Sequence, residues 1–183
     1  ATVATQKRIN HYFHDAVSLN LYRAPDDIYR VHGVFKGIQA RYGVDKPVWL
    51  TETNAMPSDD TAIPCADQHS NEAIKTTMNQ QAAYAIQAEA LAAAAGYARI
   101  EFYQMVDADP CAEPAVWGLT RDDGSRRPVS DALKVAMTNF AGFTSARFAP
   151  LTRETAAWSA WPEDASSLTP NWQVYQVAFD KPG

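Results

Sequence analysis

Glu52 is the residue whose type and setting most strongly suggest chemistry. It closes the run Pro47-Val48-Trp49-Leu50-Thr51-Glu52, and Thr53, Asn54 and a long polar loop follow it. Proline cannot donate to a sheet ladder and so suits the first position of a strand. Val48, Trp49 and Leu50 form a short apolar run of the kind buried in a parallel sheet. A carboxylate at the carboxyl end of such a strand lies where barrel enzymes place their reacting groups. The same residue type also ends strands as an ion-pair partner or simply meets solvent, and both readings stay open at this level.

Other chemistries leave weaker marks. Asp59, Asp60, Asp67, Asp107 and Asp109 raise the question of a metal, but no calcium-loop spacing is present and His69 alone makes no zinc site. His11, His14, His32 and His69 show neither triad nor ligand spacing. There is no Gly-x-Ser-x-Gly elbow and no phosphate-binding glycine loop. Neither a metal nor a cofactor is expected.

The chain has 183 residues, 46% hydrophobic and 20% charged, which suits a globular domain with a sizeable core. Its net charge of −5 gives no basic footprint for nucleic acid. No apolar run is long enough for a membrane-spanning helix, since Gln87 and Glu89 interrupt the Ala-rich segment. The chain opens Ala1-Thr2-Val3 and stops just after a strand-like pattern, so it reads as a processed or partial chain.

Three strand–helix units must position Glu52. Asp15–Tyr22 alternates Val17, Leu19 and Leu21 against polar neighbours, and reads as a strand ending in Asn20 and Tyr22. Pro25 and Asp26 start a helix whose apolar positions are Ile28, Val31, Val34, Phe35, Ile38 and Tyr42, with Gly43 as its terminator. After the Glu52 strand and its loop, Asn71 caps a helix over about Glu72 to Ala95, ended by Gly96. A strand over Ala98–Val106 follows, then a loop containing Cys111 and Trp117, then a helix from Pro128 to Phe140. This alternation predicts an α/β fold with a parallel sheet. Residues 146–149, 156–161 and 172–179 read as antiparallel strands packed on the helical layer. The domains are therefore expected at 1–143 and 144–183.

These residues, in this order, resemble strands six to eight of the clan A glycoside hydrolases, which are (β/α)8 TIM barrels. Pro47–Glu52 resembles the seventh strand, whose closing glutamate is the family's nucleophile. Asp15–Tyr22 resembles the sixth strand and Arg99–Asp107 the eighth. Trp117-Gly118-Leu119 through Asp123-Gly124, Arg127-Pro128 and Asp131-Ala132-Leu133 resembles the loop entering the last helix. The segment after residue 143 resembles the start of the accessory β-sandwich that often follows. The resemblance implies a partial barrel, its C-terminal half, and a carbohydrate substrate. The family's acid/base glutamate closes the fourth strand, commonly after asparagine. The one Asn-Glu pair here, Asn71-Glu72, stands at a helix start and cannot take that role.

On that resemblance Glu52 is the nucleophile of a retaining mechanism. Such a mechanism needs a second carboxyl roughly 5 Å away, which this chain lacks. Tyr22 either holds Glu52 ionised through a hydrogen bond or is a rim tyrosine with its ring in the core. Asn20 and Asn54 are candidates for sugar hydroxyls or are ordinary loop starters. Trp117 is a stacking platform or a packed loop tryptophan, and of Tyr103 and Gln104 whichever points inward lines the pocket. Cys65 and Cys111 follow adjacent strands, so they form a disulfide, with extracytoplasmic or secreted placement, or are two buried thiols. Three strand–helix units leave sheet edges open, so the missing barrel half or a partner chain must cover Asp15–Tyr22. The competing readings are a non-catalytic glycan-binding or structural subunit on a decayed barrel, and an unrelated α/β fragment.

Overall fold

A computed structural model of the chain describes residue 5 and residues 9–63, 75–108, 116–149 and 176–182. Strands β1 (Val17–Asn20), β2 (Val48–Thr53) and β5 (Arg99–Phe102) form one sheet in the order β1-β2-β5. Both pairings are parallel. Helix α1 (Pro25–Arg41) joins β1 to β2, helix α2 (Met78–Ala95) precedes β5, and helix α3 (Pro128–Phe140) follows it. Two short pairs complete the described structure. β3 (Met56–Pro57) runs parallel to β4 (Lys75–Thr76), and β6 (Ser145–Phe148) runs antiparallel to β7 (Val177–Asp180). The chain is thus mixed α/β, its sheet joined by these three α-helices and preceded by a short 3-10 turn at His11–Phe13.

The core lies between the sheet and the helices. Leu21, Ile28, Leu50, Tyr84, Ala88 and Ala92 are buried together, with Leu19, Ile100 and Phe102 packed against them. Burying a side chain such as Ile28 or Leu50 contributes about 1.5–3 kcal/mol. The alanines of α2 carry little bulk, which lets that helix approach the sheet and seats Tyr84 against Thr53 through a hydroxyl–hydroxyl hydrogen bond. α1 starts with Pro25 at its first turn and Asp26 and Asp27 beside it, which suits the positive end of the helix dipole. Gly43 and Gly96 follow their helices at φ 64° and 89°, where a Cβ would be strained.

Among the described residues no helix packs on the opposite face of the sheet. Ser18, Asn20, Trp49, Thr51, Arg99 and Glu101 alternate with the core residues and stand on that side. The Arg99 guanidinium lies 5.4 Å from the Trp49 ring centroid and pairs with Glu101. On α1 the apolar residues Val34, Ile38 and Tyr42 are exposed, although their spacing places them on the expected apolar stripe.

Two expectations are corrected. The second helix begins at Met78 rather than near Glu72, because Thr77 and Gln80 form a reciprocal capping box and residues 75–76 pair with β3 instead. The third strand ends at Phe102 rather than Val106. Beyond Tyr103 the carbonyls of Gln104 and Met105 accept from Leu119 and Thr120, so the chain leaves β2 for the following loop. Asn71, residues 156–161 and residues 172–175 lie outside the described residues. The last strand is described over Val177–Asp180, where Phe179 stacks on Phe140 at 4.4 Å. Phe148 meets Tyr29 of α1 edge-on, so the antiparallel pair rests on the helices.

Candidate functional site

Glu52 stands at the carboxyl edge of the three parallel strands, and a bulge sets its direction. Leu19 is opposite Leu50 but Asn20 is opposite Glu52, and on the other side Ile100 and Phe102 face Leu50 and Thr53. β2 therefore carries one extra residue near Thr51. Such a bulge re-aims a side chain. Val48 and Leu50 point to the core before it, and Thr53 does so after it. Glu52 is left half-buried, with its backbone still in the ladder through Leu21 N–H at 2.8 Å.

The Tyr22 hydroxyl donates to Glu52 Oε2 at 2.9 Å. Burial pushes the Tyr22 phenol up, and the hydrogen bond to Glu52 and the charge on Glu52 push it further. Tyr22 thus remains a neutral donor through the physiological range. Its ring packs on Trp117 with centroids 4.7 Å apart and planes at 52°. Trp117 is itself buried among Met56, Ile63 and Val116, so it supports Tyr22 from behind.

The remaining predicted residues divide. Asn20 stays on the exposed face, where its Oδ1 accepts from Thr51 Oγ1 at 2.9 Å. Tyr103 is exposed and Gln104 half-buried at the end of the third strand unit. Asn54 is fully buried and occupied by the scaffold. Its amide donates to Tyr103 O at 2.8 Å and Trp117 O at 2.7 Å, while Oδ1 accepts from Ala55 N–H. That locks the two loops at the carboxyl edge together and leaves the amide engaged with backbone rather than facing outward. Cys65 and Cys111 lie outside the described residues, as do Asp67, Asp109 and His69.

Of the aspartates raised as possible metal ligands, the three described ones, Asp59, Asp60 and Asp107, are engaged by the scaffold. Asp59 accepts from Met78 N–H at the start of α2 at 2.7 Å. Asp60 accepts from Arg127 Nε at 2.7 Å and from Arg121 Nε at 2.8 Å. Asp107 accepts from Arg127 Nη2 at 2.6 Å and from Gly118 N–H at 2.6 Å. Burial pushes the Asp60 carboxyl up, but the hydrogen bonds from Arg121 and Arg127 outweigh it and hold it below the usual carboxylate range. No group of His, Cys, Asp and Glu that could hold a metal ion occurs among the described residues. His32 is a buried ring packed on Tyr97 at 4.6 Å, and burial together with Lys36 lowers its pKa. This ionic bridge left no sequence signal, because its members come from three separate loops with no fixed spacing.

No protein-family model matches the chain, and no curated protein does. Among solved structures, the chain is similar to a β-glucuronidase of Bifidobacterium dentium complexed with coumarin-3-O-glucuronide. The TM-score is 0.50 at 15% identity, over 70% of this chain and 21% of that one. It is also similar to a GH2 β-galacturonidase from Eisenbergiella tayi bound to galacturonate, with a TM-score of 0.50 at 15% identity, over 68% of this chain and 24% of that one. The chain spans about a fifth to a quarter of the length of these neighbours. At this identity the likeness is one of fold, and the fold is glycoside hydrolase-like.

Proposed function

We propose that residues 1–143 are strand units six to eight of a (β/α)8 barrel in a retaining O-glycoside hydrolase, with Glu52 as its nucleophile. The observation that carries this reading is the Tyr22–Glu52 hydrogen bond at the shared carboxyl edge of three adjacent parallel strands. The donated hydrogen bond fixes the direction of the carboxylate at the strand edge, which is what a nucleophile must present to a substrate. The Glu52 oxygen attacks the anomeric carbon as the glycosidic C–O bond breaks; the aglycone oxygen leaves with a proton from the acid/base carboxyl, and water deprotonated by that same group then hydrolyses the glycosyl ester. The acid/base carboxyl belongs to strand units outside this sequence.

Two features of the fold support the barrel part of the proposal. Parallel sheets are ordinarily covered on both faces, and here no described helix covers the face lined by Ser18, Asn20, Trp49 and Thr51. The exposed stripe Val34, Ile38 and Tyr42 on α1 is what a neighbouring helix of the ring would cover. Residues 144–183 are in this reading the start of an accessory β domain. An extracytoplasmic location belongs to the same proposal and hangs on a Cys65–Cys111 bridge.

The test is covalent trapping in the complete protein. Fluoroglycosides with an activated leaving group, whose glycosyl-enzyme ester hydrolyses slowly, should add one fluoroglycosyl mass to the peptide containing Glu52 and abolish turnover in proportion. Label on another residue while turnover is lost overturns the assignment. Sugar binding without label or turnover favours the glycan-binding subunit.

A further inference from the structure

We propose that the buried Asp60–Arg127–Asp107 bridge is a positioning device for Glu52, acting through Gly118, Trp117 and Tyr22. The inference rests on Glu52 being the reacting carboxylate. Each link is a direct contact. Arg127 joins Asp60, on the loop that leaves the Glu52 strand, to Asp107, on the loop that leaves β5. The same guanidinium donates from Nη1 to Gly118 O at 2.6 Å. Asp107 Oδ1 takes the Gly118 N–H, so both polar groups of that residue are held. Asn54 then holds the carbonyl of Trp117 at 2.7 Å. The Trp117 ring, fixed from both sides of its backbone, bears on Tyr22, and Tyr22 donates to Glu52.

The close fit around Gly118 shows how little this loop can move. A Cβ there would lie 2.2 Å from Thr120 O and 2.6 Å from Asp107 N. The composition of the bridge points the same way. Arg127, Asp60 and Asp107 are almost wholly buried. A buried ion cluster is seldom more stabilising than an apolar one of the same volume. What such a cluster supplies is direction: a planar guanidinium fixes three acceptors from three segments at once. Here one of the three, the Gly118 carbonyl, belongs to the residue next to the ring that packs on Tyr22.

The test reads Tyr22 rather than turnover. In the complete protein with 13Cζ-labelled tyrosine, the wild-type Tyr22 signal should titrate well above the ordinary phenol value of about 10. Asp107→Asn keeps the side-chain shape but weakens the hold on Arg127. It should bring the Tyr22 titration down by about one pH unit or more. Trp117→Leu, which leaves the bridge intact but removes the ring, should produce the same shift. Tyr97, whose phenol is raised by burial alone and bonds to Ile28 O, serves as the control and should not move. Should Asp107→Asn not fold, Arg127→Lys is read in its place, since lysine keeps the charge but cannot reach three acceptors. A lower melting temperature with an unshifted Tyr22 means a purely structural bridge and overturns the proposal. A shift in a protein that never turns over a glycoside overturns the hydrolase reading and leaves the positioning role standing.

Discussion

Glu52 and Asp60 lie on the same strand-and-loop unit and have opposite environments. Glu52 is half-buried, turned out by a bulge, and faces a neutral hydroxyl. Asp60 is buried and held by two guanidinium groups, Arg121 and Arg127. The first arrangement leaves a carboxylate oxygen open to a ligand. The second consumes the carboxylate's acceptor capacity within the protein. The difference teaches that burial alone does not mark a reactive carboxylate; what matters is whether its partners leave it anything to do. A buried charge saturated by guanidinium groups is scaffold, however strongly its proton affinity is shifted.

Removing the shared arginine breaks the comparison most severely. Arg127→Leu leaves Asp60 and Asp107 buried without their common partner, and should cost roughly 3–5 kcal/mol in chemical denaturation of the complete protein. A loss below about 1 kcal/mol, the level of an exposed ion pair, would mean that the bridge is far more hydrated than its burial implies.

A smaller effect comes from acid. The folded-state pKa of Asp60 lies below its unfolded value of about 3.9, so its contribution is present above that pH. The contribution is then lost as pH falls from about 4 through the folded value. Wild-type stability should therefore drop on going from pH 5 to pH 3, and Asp60→Asn should show a shallower drop over the same interval. Parallel slopes in the two proteins would remove Asp60 from the acid response.

Much of the scaffold was legible in the sequence. Pro25 and Pro128 mark helix starts, Gly43 and Gly96 mark helix ends, and the alternating strand and helix patterns predict the parallel order that β1, β2 and β5 adopt. The meeting of Tyr22 with Glu52 follows from the same logic, since both close neighbouring strands. The misplaced start of α2 had a local signal. Thr77-Met78-Asn79-Gln80 is a capping box, and it lies closer to the alanine run than Asn71-Glu72 does. The rest had no local signal. The bulge at Thr51 is a property of paired strands, and the engagement of Asn54 and Trp117 depends on which loops pack behind the edge. The bridge of Asp60, Arg127 and Asp107 is written in three segments far apart in the chain and exists only once they are folded together.

Glu52, and not a neighbouring carboxylate, is the proposed nucleophile. Glu52→Gln in the complete protein, assayed on a panel of aryl glycosides beside Glu101→Gln, tests that assignment directly. Glutamine preserves the acceptor for Tyr22 but cannot form the glycosyl ester. kcat should fall by about 10³-fold or more with the melting temperature unchanged. Glu101 pairs with Arg99 on the face of the sheet opposite the core, away from the carboxyl edge, so Glu101→Gln should keep wild-type turnover within about threefold, as expected of a half-exposed ion pair. Equal turnover in wild type and Glu52→Gln would contradict the account.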